Sequence, residues 1–159
     1  MIAALIILLL SAFGVTPSDE ELAAYEQSYY DRIHHVFLEL GSEVDDGGIA
    51  PTFAIGYEAY VHRGRRGVAV EVVGESVGLP FTDEADYFVG FGAGFYPIPK
   101  LRVALSYGPL FRDGNVYTRG RADVSGRFQV FSMTVQPYIR LSANGDDSFG
   151  FDFGGRFEY

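Results

Sequence analysis

Hydrophobic and polar residues alternate along most of the chain from residue 31 onward. The final segment, "FGFDFGGRFEY", shows the pattern well, with aromatic residues at nearly every second position. Successive side chains of a β-strand point to opposite faces, so this alternation predicts strands with one apolar and one polar face. Turn-forming residues separate eight predicted strands, at 33–44, 51–62, 67–77, 86–97, 100–112, 115–129, 131–142 and 148–159.

Sorting each predicted strand by parity gathers the apolar residues on one face. That face carries Val, Leu, Ile, Phe and Tyr side chains from every strand, and it is nearly free of charge. The other face carries charged residues with small residues between them. Its acidic members are Glu39, Glu43, Glu58, Glu71, Glu75, Asp123 and Asp152, and its basic members are Arg102, Arg112, Arg119, Arg121, Arg127, Arg140 and Arg156.

Two architectures bury such a sheet, and parity alone does not separate them. A soluble barrel or sandwich turns its apolar face inward, whereas a transmembrane barrel turns that face toward lipid. The predicted strands run to about 11–14 residues, which suits a tilted bilayer crossing better than the five or six usual in soluble proteins. Aromatic residues are also expected at the ends of the apolar face, as in an interfacial girdle: Tyr57, Tyr87, Phe95, Tyr107, Phe128, Phe131 and Tyr159.

The charges of the polar face are segregated by sign along the chain. Glutamates dominate the first three predicted strands and arginines the last four. Closing eight strands into a barrel brings these two groups face to face across a narrow interior, where each charge needs a partner. We therefore predict an all-β, eight-stranded antiparallel up-and-down transmembrane barrel. Its predicted lumen charge network is Glu39, Glu43, Glu58, Glu71, Glu75, Arg102, Arg119, Arg121, Arg140, Asp152 and Arg156.

Composition and charge narrow the functional classes. The chain has 159 residues, enough for one domain, and a net charge of -9, which makes nucleic acid an unfavourable partner. Glycine (20), Phe (14) and Tyr (11) are abundant, as expected for short, curved strands. Cysteine is absent, which excludes a disulfide scaffold and a thiolate metal site.

The amino-terminal segment is interpreted as an export signal. Residues 1–15 are apolar and uncharged, too short for a comfortable membrane span, and Ala12 and Gly14 offer small residues for cleavage after Gly14. Residues 15–32 are predicted to form a periplasmic arm or short helix, because Ser18 and Glu21 match a capping box ahead of a helix from Asp19 to Tyr29. The barrel domain is then 33–159.

The end of the chain resembles a known targeting signature. Asp152, Gly154, Phe157 and Tyr159 follow the spacing D-x-G-x-x-F-x-Y, which is similar to the carboxy-terminal signature of bacterial outer-membrane β-barrels. The resemblance implies that Gly154, Phe157 and Tyr159 form an assembly signal read by the barrel-assembly machinery. Residues 33–159 accordingly resemble a small outer-membrane barrel of the OmpX and OmpA membrane-domain type, a porin-like class of Gram-negative bacteria.

If both chain ends face the periplasm, the orientation of the barrel in the membrane is fixed. The connections near residues 45–46, 83–86, 113 and 146–147 then face outward and are acidic, while those near 63–66 and 100 face the periplasm and are basic. One interpretation is that the acidic outer loops bind divalent cations that they share with lipopolysaccharide phosphates, and the other is that they are ordinary solvated turns.

Candidate chemistry is sparse. His34 and His35 are adjacent in the first strand and point to opposite faces, and His62 lies at the same end of the second strand, with no third metal ligand evident. Barrels that modify lipid A use a histidine near the outer leaflet, and all three histidines here fall at the opposite end. We predict no catalytic residue, no metal and no cofactor.

The sequence thus favours an outer-membrane barrel with a structural or surface-interaction role and a lumen filled by Glu and Arg. Its expected partners are outer-membrane lipid, lipopolysaccharide and the assembly machinery, and a monomer is expected. One alternative is a small-solute or ion channel. Another is a soluble periplasmic barrel that binds an apolar ligand inside.

Overall fold

A computed structural model describes residues 34–45, 47–62, 67–82, 84–98, 100–130 and 133–158. The predicted signal segment, 1–14, and the predicted arm or helix, 15–32, lie outside the described residues. Within the described ranges, no helix has the length and apolar character to cross a membrane.

The described residues form nine β-strands in chain order. Their bounds are β1 His34–Asp45, β2 Gly48–His62, β3 Gly67–Val77, β4 Asp86–Ile98, β5 Leu101–Arg112, β6 Asn115–Gly126, β7 Phe128–Val130, β8 Met133–Asn144 and β9 Phe149–Glu158. The eight long strands have 10 to 15 residues, and β7 has three.

The eight long strands close into an antiparallel barrel. Each of β1 to β5 pairs with the next strand, β6 pairs with β8, β8 pairs with β9, and β9 pairs back onto β1. This closure leaves no open edge along the long strands, which is the arrangement that a sheet needs when backbone groups cannot reach water. The prediction of an all-β, eight-stranded antiparallel barrel is confirmed.

The predicted strand at 115–129 is wrong in one respect, because the structure divides it into β6 and β7. The same register continues on both sides of the break, from Ser125 opposite Tyr138 to Phe128 opposite Val135. That register puts Gly126 opposite Pro137, which has no N–H to donate to the ladder. On the β5 side the ladder continues, because the backbone N–H of Arg127 donates to the carbonyl of Lys100 at 2.9 Å. Other strand limits differ from the predicted ones by up to three residues; for example, β2 begins at Gly48 rather than 51, and β8 ends at Asn144 rather than 142.

The apolar residues face outward, as the parity of the strands predicts for the transmembrane alternative. Large hydrophobic side chains are exposed on every long strand, for example Ile55 (59%), Phe91 (63%) and Leu105 (65%). The prediction that Tyr107 belongs to an aromatic girdle at the strand ends is wrong. Tyr107 lies in the middle of β5, opposite Phe91 of β4. Phe131 and Tyr159, also predicted girdle residues, lie outside the described residues.

Charged residues line the interior together with a small apolar cluster. Phe37, Ala54, Val73, Phe88 and Leu110 form this cluster, and Tyr117 packs against it. The inward positions also include glycines where two backbones come close. Gly41 of β1 pairs with Gly154 of β9, and a Cβ on either residue would meet the Tyr138 hydroxyl and the partner backbone. The first and last long strands therefore join through a glycine pair under a tyrosine side chain.

Candidate functional site: the charged barrel interior

All eleven residues of the predicted lumen charge network lie inside the barrel and are buried, with exposed fractions of 3% or less. Asp123, Arg127 and Glu158 are buried beside them. Of these three residues, Glu158 was not assigned to the polar face in the sequence analysis, although it occupies an inward position of β9 two residues after Arg156. Arg112, also on the polar face, lies at the rim instead.

One group of ion pairs is centred on Arg102 and Arg156, which come from β5 and β9. Arg102 donates to Asp123 of the neighbouring strand at 2.6 Å, and across the lumen to Glu58 at 3.2 Å and to Glu71. Arg156 reaches the same two glutamates, at 2.9 Å for Glu58 and 3.1 Å for Glu71. Both arginines therefore bridge to glutamates of β2 and β3, which lie two or three strands away around the barrel wall.

A second group is centred on Glu75 of β3. One oxygen of Glu75 accepts hydrogen bonds from Arg121 at 2.5 Å and from Arg140 at 2.8 Å. Arg140 also donates to Glu39 at 2.6 Å. Arg119 donates to Glu43 of β1 at 2.6 Å. The structure thus brings the early glutamates and the late arginines together, as charge-assisted hydrogen bonds that link opposite walls.

Asp152 is the member of the network that lacks a close partner. Its side chain is fully buried, and in the described part of the chain neither carboxylate oxygen has a hydrogen-bond donor within reach. The guanidinium nitrogens of Arg119 and Arg140 lie 3.7 and 3.9 Å away. Its cross-strand neighbours are Arg140 on β8 and Glu43 on β1, and Glu43 carries the same charge as Asp152. The charge of Asp152 is therefore the least compensated in the network.

Most of the lumen arginines also lie against aromatic rings that face inward. Arg121 lies 4.6 Å from the centre of the Phe88 ring, Arg140 4.5 Å from Tyr138, and Arg156 3.5 Å from Phe37. Arg127 lies over Tyr96 at 4.9 Å and donates to Glu158 at 2.6 Å.

The rings complete the surroundings of these cations, because the face of an aromatic ring attracts positive charge. Sequence reasoning missed these aromatic residues. Their inward parity was the available signal: Phe37 stands between His35 and Glu39, and Phe88 is in phase with Gly90 and Gly92.

A separate charged group stands at the rim, at the end predicted to face outward. Arg112 donates to Asp86 at 2.5 Å and to Asp146 at 2.9 Å, and thereby joins the start of β4 to the β8–β9 connection. Hydrogen bonds from Ser148 hold the pKa of Asp146 below its ordinary value, and Arg112 adds to this effect. These groups are partly exposed, so their contribution to stability is small and sensitive to salt.

The predicted assembly-signal residues occupy different faces of β9. Gly154 faces inward opposite Gly41, whereas Phe157 belongs to the outer parity and pairs with Leu38 of β1 and Val135 of β8. Tyr159 lies outside the described residues.

The histidines do not converge. His34 is exposed and stacks on Tyr57, whereas His35 is buried inside near Tyr60. The side chain of His62 lies outside the described residues. Among the residues that the structure describes, no group of three or more His, Asp or Glu is arranged to hold a metal ion.

The interior carries a small excess of negative charge. Its buried carboxylates are Glu39, Glu43, Glu58, Glu71, Glu75, Asp123, Asp152 and Glu158, and its buried arginines are Arg102, Arg119, Arg121, Arg127, Arg140 and Arg156. Among the described residues, eight buried carboxylates thus face six guanidinium groups. Chemically, the arrangement can neutralise charge and fill space across the barrel, and these charged groups are buried from bulk water.

Comparisons with known proteins give little further information. No family model matches the chain, and no curated protein matches it significantly. A solved structure of Neisserial surface protein A (NspA) is similar, with 12% identity and a TM-score of 0.47, over 79% of this chain and 94% of that one. A likeness of this degree carries no inference about function, so the interior is interpreted from its own contacts.

Proposed function

We propose that this protein is an integral β-barrel of the bacterial outer membrane, with a structural or surface-interaction role and a lumen closed by its Glu and Arg side chains. The observation that carries the proposal is the inverted distribution of polarity. Charged residues are buried inside the barrel, while Val, Leu, Ile and Phe side chains stand exposed around its outside. In water this arrangement would expose a continuous apolar belt, but in a bilayer the belt contacts lipid.

The lumen network supports a closed barrel rather than a pore. An eight-stranded barrel leaves an interior that is just filled by side chains. Here arginines from β5, β6, β8 and β9 reach glutamates of β1, β2 and β3, so the ion pairs cross the lumen and not only its wall. The same distribution argues against a soluble barrel with an apolar ligand inside, because that function needs apolar residues on the inner face.

The proposed partners follow from the proposed location. The apolar belt would contact outer-membrane lipid and lipopolysaccharide, and β9 would be recognised by the barrel-assembly machinery during insertion. We further propose a monomer without enzymatic activity, with the acidic outer connections as the surface offered to the environment.

Heat modifiability tests the proposal directly. The full-length protein is extracted from the outer-membrane fraction in detergent and run on a gel with and without boiling. We expect a membrane-bound protein whose unboiled form migrates differently, because a closed barrel resists the detergent. Recovery in the soluble fraction, with no change of mobility on boiling, would contradict the proposal.

A further inference from the structure

Two small residues of β3 leave a groove in the outer wall of the barrel. Gly74 and Ser76 are successive outward positions on this strand. At the same levels, the neighbouring strands carry bulky side chains: Ile55 and Phe53 on β2, and Val89 and Tyr87 on β4. The groove has a volume of about 700 Å³. Leu38 and Leu40 of β1 extend one of its sides.

The dimensions suit a single hydrocarbon chain. Neighbouring strands lie about 4.8 Å apart, so the side-chain ridges of β2 and β4 stand about 10 Å apart with the floor of β3 between them. A Cβ built on Gly74 would meet nothing closer than the Ile55 carbonyl oxygen at 4.0 Å, so the floor is open. The next outward position toward the other end, Val72, carries a side chain again and limits the groove there.

The β3–β4 connection lies at the outer end of the groove. Pro80 and Phe81 line that end, and Phe81 is 97% exposed. Phe81 has a φ of 65°, in the left-handed region that non-glycine residues rarely adopt. The conformation is held by two hydrogen bonds: the Phe81 N–H donates to the Tyr87 hydroxyl at 2.9 Å, and the Thr82 hydroxyl donates to the Leu79 carbonyl at 2.7 Å. The connection thus holds an aromatic ring outward at the mouth of the groove.

The polar atoms beside the groove are already engaged within the protein. The Ser76 hydroxyl donates to the Gly78 carbonyl at 3.3 Å, and the Tyr87 hydroxyl accepts from Phe81. A ligand in the groove would therefore contact mainly hydrocarbon walls, with the Tyr87 hydroxyl at the outer end already accepting one hydrogen bond. The part of the ligand that enters must be apolar.

We propose that this groove holds one acyl chain of an outer-leaflet lipid, with Phe81 covering the chain near the headgroup level. The proposal rests on the proposed outer-membrane function, because the groove is continuous with the belt that would contact lipid: Leu38, Leu40, Ile55 and Val89 belong to both. A groove that is one strand wide, lies along a strand and opens toward the predicted outer surface matches a chain that descends from the headgroups into the bilayer.

The test compares three full-length forms of the protein, each refolded in detergent: the wild type, Gly74→Leu and Gly120→Leu. Gly74→Leu places a side chain in the groove. Gly120 is an outward glycine of β6 whose added Cβ would only touch the Tyr107 ring at 3.8 Å, so Gly120→Leu is the matched control away from the groove. The probe is dimyristoylphosphatidylcholine, and native mass spectrometry counts the lipid molecules that each form retains.

We expect one tightly retained lipid on the wild type and on Gly120→Leu. On Gly74→Leu we expect lipid binding to weaken by about tenfold or more, which corresponds to about 1.4 kcal/mol. Equal retention by all three forms, or no retention by the wild type, would overturn the proposal.

A second variant tests the proposal independently in case Gly74→Leu does not fold. Phe81→Gly removes the covering ring and suits the left-handed backbone, so the connection should keep its shape. We expect weaker lipid retention in Phe81→Gly as well, with the barrel intact.

Flotation with vesicles and the heat-dependent gel shift are recorded on the same preparations. Barrels that float and shift but retain no lipid would refute this inference alone, whereas barrels that fail to enter vesicles would refute the proposed function.

Discussion

At the scale of single residues, the lumen arginines are held by more than one carboxylate each. Arg140 shows the consequence most clearly, because it donates to Glu39 at 2.6 Å and to Glu75 at 2.8 Å while fully buried. Removal of such a side chain leaves carboxylates that cannot recover their hydration. A buried ion pair is of uncertain net benefit, but breaking one by removing a single partner is strongly destabilising.

We predict that Arg140→Ala destabilises the barrel by about 3–5 kcal/mol, because Glu39 and Glu75 would each lose a charged donor in a dry interior. The measurement is denaturant unfolding of the refolded protein in lipid vesicles. Arg112→Ala is the matched control, since Arg112 makes similar contacts at the partly exposed rim, and it should cost about 1 kcal/mol or less. Similar losses for both variants would show that the interior is hydrated.

In contrast to Arg140→Ala, Asp152→Asn should not destabilise the barrel. Its carboxylate has no hydrogen-bond donor within the described residues and faces Glu43 across the β1–β9 pair. Removing its charge should leave stability unchanged or raise it by about 1 kcal/mol, because an incompletely paired buried charge disappears.

The control for Asp152→Asn is Asp123→Asn, because Asp123 accepts a hydrogen bond from Arg102 at 2.6 Å. It should lose about 1.5–3 kcal/mol, the usual range for a hydrogen bond to a charged group. If Asp152→Asn were the more damaging of the two, Asp152 would be acting as a true partner of Arg119 or Arg140.

Side-chain parity was sufficient to place each member of the network on the inner face. It could not supply the pairing, because that depends on the register between strands far apart in sequence. Nor could it separate Asp152 from Glu39, which looks equivalent in the sequence but lies next to an arginine donor in the fold. The inward aromatic residues Phe37 and Phe88 were missed because apolar residues on the polar face appear to break the alternation. Only the structure shows that arginine side chains lie against their rings.

At the scale of elements, the join between β1 and β9 depends on two glycines. Gly41 and Gly154 face each other, and the Tyr138 hydroxyl lies over both. Their small size has a packing reason here, independent of any role of Gly154 in recognition by the assembly machinery.

Gly154→Ala is expected to destabilise the barrel by about 1–3 kcal/mol, because the added methyl group would collide with the β1 backbone and overpack the join. The effect should appear in unfolding of protein refolded without the assembly machinery, which separates packing from recognition. Gly120→Ala is the control, since its methyl group would make only an ordinary contact. An unchanged stability of Gly154→Ala would leave recognition as the reason for this glycine.

The eight long strands could be predicted because their alternation is regular and their turns are marked by Asp, Asn and Gly. The break between β6 and β7 could not. It arises from Pro137 on a different strand, which withholds a donor at one level of the ladder, and alternation within 115–129 carries no trace of it. Strand limits moved by a few residues for the same reason, since pairing partners decide where a strand ends.

At the scale of the whole molecule, ion pairs cross the lumen, and the proposed function has them close it to solutes. We predict that the full-length protein gives no stable conductance steps in a planar lipid bilayer at neutral pH, because an interior filled by side chains leaves no continuous water path. Reproducible single-channel currents from the wild type would contradict this and favour the channel alternative. The same preparation should show the heat-dependent gel shift, so that an absence of current is measured on folded barrels.

The ion pairs between residues far apart in sequence also affect how fast the folded barrel unfolds. Arg140 and Glu39 are 101 residues apart in the chain, and Arg156 and Glu58 are 98 apart. Such contacts carry a high loop-closure cost and are among the last to form, so a partly assembled chain holds these charges without partners. Contacts that are missing from the transition state slow unfolding rather than speed folding. We therefore expect the lifetime of the folded barrel to be set by a slow unfolding rate. A long lifetime then does not require a large free energy of unfolding.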